Sequence, residues 1–343
     1  MSELAESGSS TRRGGAGLAA NVATFLGISL WCVIAAGSIL GRFRLGPIEV
    51  FFLLAPLVDI PLGFRVARSF SGKFSPLGKA AAWLLPFGAI LATASSWLPA
   101  GRTAATFAAG WLVVCGLTAM DGLWRLVRGG YRSAQGLCFS AGFMYLAVGG
   151  VWLVLSRSGI TPMHFAEPII LLTAVHFHFT GFALPLVAGA TGYVLRTRER
   201  PASSVIESNL FRFVAAFVIG APAIVAAGFV LESALLKLVG ALLLAVAAAA
   251  LAGLVFRLLP CIRPRLAKVL LGISAASLAA GMALAATYAI GEFTERYWLL
   301  IPQMARFHGT LNALGFTLCG LIGWSFAEVK DKGAAELGTS RLN

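Results

Sequence analysis

An all-α bundle of membrane-spanning helices is the fold class that this 343-residue chain predicts, and three observations carry it. Only 12% of the residues are charged and 58% are hydrophobic, whereas a soluble domain carries about a quarter charged residues. Apolar runs of the ~20 residues needed to cross a bilayer recur along the length. The basic residues fall between those runs, and alternate loops hold most of them. Mean hydropathy, +0.85, agrees.

Ten spans are expected, at 21–40, 46–66, 78–99, 103–123, 137–156, 168–195, 209–230, 234–258, 266–290 and 302–327. The first follows a Ser-, Gly- and Arg-rich stretch, Met1–Gly17, of a composition too polar to pack a core. Arg12-Arg13 superficially resembles a twin-arginine signal, but no apolar residue follows the pair directly. The run at 21–40 is too long for a cleaved apolar region, so it reads as a retained helix. The second span carries Asp59 just before Pro61, and the fourth carries Asp121 four residues ahead of Arg125, a spacing at which the two can pair. The sixth begins after the polar loop Arg157–Pro168, whose Pro168 suits a first helical turn. Pro185 and Pro222 could interrupt the sixth and seventh. Spans eight and nine are rich in Ala and Gly, which lets helix backbones approach closely. The tenth follows the loop Glu292–Trp298, with Tyr297 and Trp298 suited to a membrane interface, and begins near Pro302.

With both termini cytoplasmic, the outer face receives Arg42, Arg44, Arg102, Arg157, Lys237, Arg296 and Arg306, leaving 20 of the 27 Lys and Arg residues inside. Cytoplasmic loops are enriched in Lys and Arg, so this asymmetry supports both the orientation and the number of spans. The expected organisation is a disordered cytoplasmic tail at 1–20, a transmembrane domain at 21–327 and a cytoplasmic C-terminal tail at 328–343. The lipid bilayer is the first partner implied. The net charge of +13 is not a nucleic-acid signal, because such binding needs basic residues clustered on a soluble face. Five scattered cysteines without a CxxC pair argue against a disulfide framework or a thiolate metal site.

Function is sought in ionisable groups inside the spans, which are costly there and face a bundle interior or a wet cavity. All four histidines, His164, His176, His178 and His308, fall on the outer side. With a rise of about 1.5 Å per residue, His176 and His178 lie about 12 and 15 Å below Pro168, and His308 about 9 Å below Pro302. The spans at 168–195 and 302–327 are therefore expected to pack side by side and bring the histidines together. Residues i and i+2 diverge by about 200° on a regular helix, so His176 and His178 cannot share one metal unless that helix is distorted. His178 heads a stripe with Gly181, Pro185, Ala188 or Gly189, and Gly192 that reads as a packing seam. His176 shares a polar face with Thr173 and Thr180, suited to lining a cavity. His308, Asn312, Gly315 and Cys319 form a second polar-and-small stripe.

Three readings of the histidines stay open. They are helix-bridging hydrogen-bond partners; or ligands of Zn, Fe or Cu drawn from His164, His176, His178 and His308, which imidazole suits, with Glu167 and Glu295 as loop candidates; or a proton relay or gate, since histidine titrates near neutral pH. On the third reading, substitution of His176 or His308 removes activity and spares the fold. Asp59 is a further candidate on a substrate or proton path, and Asp121 reads as structural.

The segment Tyr145-Leu-Ala-Val-Gly-Gly-Val-Trp152, the run Leu171-Leu-Thr-Ala-Val-His-Phe-His-Phe-Thr-Gly181 through Gly189, and His308-Gly-Thr-Leu-Asn-Ala-Leu-Gly-Phe316 together resemble the YndJ-like bacterial membrane proteins. The resemblance covers about a third of the chain. It implies a multi-pass protein of the bacterial inner membrane, carries a transporter label with no assigned substrate, and picks out His176, His178, His308 and Asn312. A His-x-His followed by Gly-Phe is also similar to helices of respiratory-oxidase core subunits, but four histidines are too few for a haem–copper centre. The functional expectation is a transporter of a small or lipophilic solute with a histidine-lined site in the outer half. The alternative is a membrane-embedded metal-dependent enzyme acting on a lipophilic substrate.

Overall fold

The computed structural model describes residues 24–197 and 204–329; the expected N-terminal tail and most of the expected C-terminal tail lie outside them. Ten helices account for nearly all of the described residues. They are α1 (Thr24–Ile39), α2 (Pro47–Ser71), α3 (Pro76–Trp97), α4 (Arg102–Val127) and α5 (Ala134–Ser158). After these come α6 (Ile169–Thr197), α7 (Ser204–Val230), α8 (Ala234–Leu258), α9 (Arg265–Phe293) and α10 (301–326). Their bounds follow the expected spans within a few residues. Two residues of sheet, β1 (Ile262–Arg263) and β2 (Glu328–Val329), pair antiparallel.

The chain is thus a polytopic helix bundle. Eight of the helices, α2 to α9, are long and apolar enough to cross a membrane. The expected ten is a larger number, and the difference lies at the two ends. The described part of α1 is apolar but shorter than a span. Helix α10 opens with Gln303, Arg306 and His308 in its first turns, which makes that end amphipathic.

Local signals explain the helix starts. Ser75 accepts from the Gly78 amide at 3.1 Å and Pro76 fills the first turn of α3, satisfying a donor that helix geometry leaves orphaned. Ser233 does the same for α8 through Leu236. In α10 the Gln303 side chain reaches back to the Leu300 amide at 2.9 Å.

Three helices are not regular. A π-helical stretch, one residue wider per turn, occupies Ala55–Asp59 in α2, Phe177–Ala183 in α6 and Leu311–Leu318 in α10. This corrects the expected breaks. Helix α7 runs unbroken through Pro222, and the distortion in α6 ends two residues before Pro185.

The described residues form two compact units. The first comprises 24–65, 73–124 and 143–183; the second comprises 66–72, 125–142 and the described residues from 184 onward. In the first, Phe64, Phe143 and Phe182 stack with centroids 5.4 and 6.0 Å apart, beside fully buried Leu53, Leu54, Ile60 and Trp111. In the second, Phe139 packs onto Gly189 and Phe211 onto Gly192, where a Cβ would come within 2.8 and 2.1 Å of a ring carbon. Those glycines belong to the seam expected below His178, and they are small because aromatic rings lie on them.

The expected orientation is testable at exposed loop positions. Single cysteines at Ile160 and Thr294 should label from outside the cell, and at Tyr131 and Arg263 only after the membrane is permeabilised, in a background lacking Cys32 and Cys261. Labelling of any one from the opposite side overturns the inside assignment of the termini.

Candidate functional site

Each irregular stretch carries a polar residue singled out by sequence: Asp59 ends the first, His178 is second in the next, and Asn312 is second in the last. Single-turn π interruptions are rare and often mark functional sites.

In the first unit, His178 is fully buried. Its Nδ1 lies 2.7 Å from the Ala174 carbonyl, and Trp111 Nε1–H donates to its Nε2 at 2.9 Å. A carbonyl only accepts and an indole only donates, so this pair of contacts fixes the tautomer with hydrogen on Nδ1. The indole and imidazole planes lie within 21° of each other. The Phe52 ring stands edge-on to the imidazole at 5.1 Å, with an 80° interplanar angle. Room for the ring comes from Gly149 of α5, where a Cβ would sit 2.6 Å from Nδ1. One turn away the arrangement is reversed: Gly181 receives Tyr145, whose ring lies 5.5 Å from that of Phe177. The glycines of the Tyr145–Trp152 and Leu171–Gly181 motifs are therefore reciprocal sockets between α5 and α6. With both nitrogens engaged, His178 offers no lone pair to a metal.

His176, two residues away, points elsewhere. It is exposed, and its Nδ1 lies 2.6 Å from the Leu172 carbonyl one turn back. Its Nε2 meets no partner among the described residues. The sequence expectation that the two histidines diverge holds even though the π stretch begins between them. On the His176 face, Thr173 donates to the Ile169 carbonyl at 2.8 Å and Thr180 is half-buried.

The loop above contains His164, which is exposed. Met163 and His164 have φ of 53° and 64°, and two successive non-glycine residues in the left-handed region constitute local backbone strain. Glu167, considered as a loop ligand, has structural partners: Ser156 Oγ donates to it at 2.5 Å, and the Leu171 amide at 3.2 Å. It caps the start of α6. Glu295, the other loop candidate, is exposed with φ of 56°.

In the second unit, α10 packs on α9 through the expected polar-and-small stripe. His308 Nδ1 lies 2.8 Å from the Gly281 carbonyl and 3.2 Å from the side-chain amide nitrogen of Asn312. The Asn312 amide donates to the His308 carbonyl at 2.9 Å. Gly281 is the socket for Asn312, because a Cβ there would come within 2.5 Å of Nδ2. Further along, Ser274 donates to the Phe316 carbonyl at 2.8 Å, a side-chain donor for main chain inside the wide turns. His308 bridges two helices, an arrangement that allies it with His178 more than with His176.

His164, His176 and His178 belong to the first unit and His308 to the second. Within either unit, the described residues hold no group of three or more His, Cys, Asp or Glu side chains placed to share a metal.

The aspartates separate as the sequence suggested. Asp121 is buried and accepts from the Ser75 amide at 2.7 Å, holding the start of α3 from α4, with Gly78 leaving room for the carboxylate. Asp59 is also buried, at 1% exposure, and neither of its carboxylate oxygens has a hydrogen-bond partner among the described residues. The residue that sequence reasoning missed is Trp111. A tryptophan within an apolar span reads as core, and only the fold aims its N–H at an imidazole. The Gly149-Gly150 pair was the available signal that something bulky sits opposite.

Taken together, these features define a multi-pass α-helical membrane protein in which a buried His178 and a part-buried His308 make hydrogen bonds between helices. The chain belongs to the YndJ-like family, whose profile, described as YndJ-like protein, matches residues 50–316. A relative from Bacillus subtilis (strain 168), "Uncharacterized membrane protein YndJ", is 29% identical over 189 residues, which is 55% of this chain. The chain spans 32% of that relative's length. No solved structure matches.

The sockets predict a graded response. Gly149→Ala should destabilise by about 1–3 kcal/mol through overpacking, and Trp111→Phe by about 1–3 kcal/mol through the unpaired Nε2 it leaves. Gly150→Ala, whose Cβ would meet Cys115 and Leu112 side chains at 3.0 Å, should cost less. Thermal unfolding of the detergent-extracted protein measures all three, and an unchanged Tm in both Gly149→Ala and Trp111→Phe would show that the His178 socket does not hold the unit together.

Proposed function

We propose that the chain is a transporter of a small or lipophilic solute in the bacterial inner membrane, with the exposed His176 face of α6 lining the path. The observation that carries this reading is the coincidence of polar residues with interrupted helices. Wide π turns inside helices are rare and often mark functional sites. In α2, α6 and α10 the interruption coincides with Asp59, His178 and Asn312 respectively. His176 is exposed, its Nδ1 is taken by the Leu172 carbonyl, its Nε2 is offered to a solute or a proton, and Thr173 and Thr180 extend its face. His308 and Asn312 serve as the positioning pair of α10 on α9. The expected ten-span arrangement with both termini inside belongs to this proposal.

The metal-dependent alternative has less support. Zn, Fe or Cu would need several imidazole nitrogens converging, and His178 has both of its nitrogens engaged.

Function and fold should separate between neighbouring histidines. In proteoliposomes screened for uptake of labelled solutes, His176→Ala should lose most of the wild-type flux while keeping extraction yield and Tm. His178→Ala, which leaves the Trp111 N–H and the Ala174 carbonyl without their partner, should lower Tm by an amount equivalent to about 1–3 kcal/mol. Full flux in His176→Ala sinks the histidine path.

A further inference from the structure

We propose that Asp59 is the binding site of a small monovalent cation, a sodium ion or a proton, built into the wide turn of α2. This assignment concerns equilibrium binding and stands apart from the transport reading.

The carboxylate is 1% exposed, in the middle of an apolar helix, and neither oxygen receives a hydrogen bond. A bare carboxylate in such surroundings costs far more than a hydrogen bond returns. The nearby elements do not supply a counter-charge. The stretch Ala55–Asp59 packs against α3 and against the π stretch of α6. Gly27 of α1 comes so close to it that a Cβ would fall 2.0 Å from the Leu57 carbonyl oxygen. Helix α1 carries no charged residue, and its Cys32 is exposed. The only charged side chain of α3 is Lys79, exposed in that helix's first turn. The π stretch of α6 brings His178, whose ring hydrogen already goes to the Ala174 carbonyl. The hydroxyls of Thr93, Ser95 and Ser96 on α3 donate to carbonyls of their own helix.

The backbone of α2 is short of donors at the same place. Pro56 and Pro61 bracket Asp59 and have no N–H. Ile60 N–H goes to the Ala55 carbonyl. A buried carboxylate beside backbone with two prolines and so few donors lacks the positive partner that its burial demands. A cation supplies what the surrounding protein lacks.

Two measurements on the purified full chain decide the matter and identify the ion. The first is Tm in NaCl against choline chloride at equal ionic strength. The second is the infrared C=O stretch of a protonated carboxyl and its shift in D2O. Sodium as occupant predicts a Tm several degrees higher in NaCl, absent in Asp59→Asn. A proton as occupant predicts an acid band in the wild type, absent in Asp59→Asn, with Tm indifferent to sodium. A wild type showing neither response has an ionised, hydrated carboxylate and overturns the proposal, as does Asp59→Asn behaving like the wild type in both. Should Asp59→Asn fail to accumulate, the two wild-type measurements alone still decide between occupancy and hydration.

Discussion

Two hydrogen bonds on one imidazole hold together much of what is distinctive in the first unit. His178 donates to its own helix at Ala174 and accepts from Trp111 of another, so the ring can take only one tautomer and one position. Hydrocarbon provides no water to make good a missing partner, so polar groups at this depth must be satisfied from within. The ring's position in turn requires Gly149 on α5 and the edge of Phe52 on α2. Four helices are thereby fitted to one side chain. His176 is left out of this arrangement, and its exposure follows from its neighbour's confinement.

The same economy governs α9 and α10. His308 and Asn312 bind main-chain oxygens, Ser274 returns a donor to the Phe316 carbonyl, and Gly281 yields space. Lipid tails are as apolar as leucine, so helices in a membrane associate through close packing and hydrogen bonds across the contact. The stripe His308, Asn312, Gly315 is a contact of that kind, with small residues and polar residues in alternation.

Much of this was legible in the amino-acid sequence, and the part that was not has a common physical cause. The helices could be placed because apolar runs and their basic flanks respond to the bilayer itself, which acts on every span alike. The divergence of His176 from His178 followed from helical geometry, and the stripe under His178 was recognisable as a seam from its glycines. Asp121 was read as structural from Arg125 one turn on, whereas the Ser75 amide that it accepts from lies 46 residues away in the chain. The π stretches were not legible. They add one residue to a turn without a residue type that demands it, and they depend on what packs alongside. Pro222 illustrates the converse: a residue that breaks soluble helices sits inside a continuous one, because membrane helices re-satisfy the freed carbonyl from their surroundings. The Trp111–His178 bond was hidden for a different reason, since 67 residues of chain separate the two.

Helix α8 has a further property in its end contacts. At one end Arg257 pairs with Glu207 of α7 at 2.6 Å, and at the other Lys237 pairs with Glu292 of α9. The chain leaving α8 is stitched through Ile262–Arg263 to the residues that follow α10. Sliding α8 along its axis by even one turn would break a pair at each end and shear the two-residue ribbon. The pins act in opposite directions along the axis, like the two nails that stop a plank from shifting either way. Helices α7 and α9 are consequently each tied to α8 by one ion pair, and the two pairs sit at opposite ends of that helix.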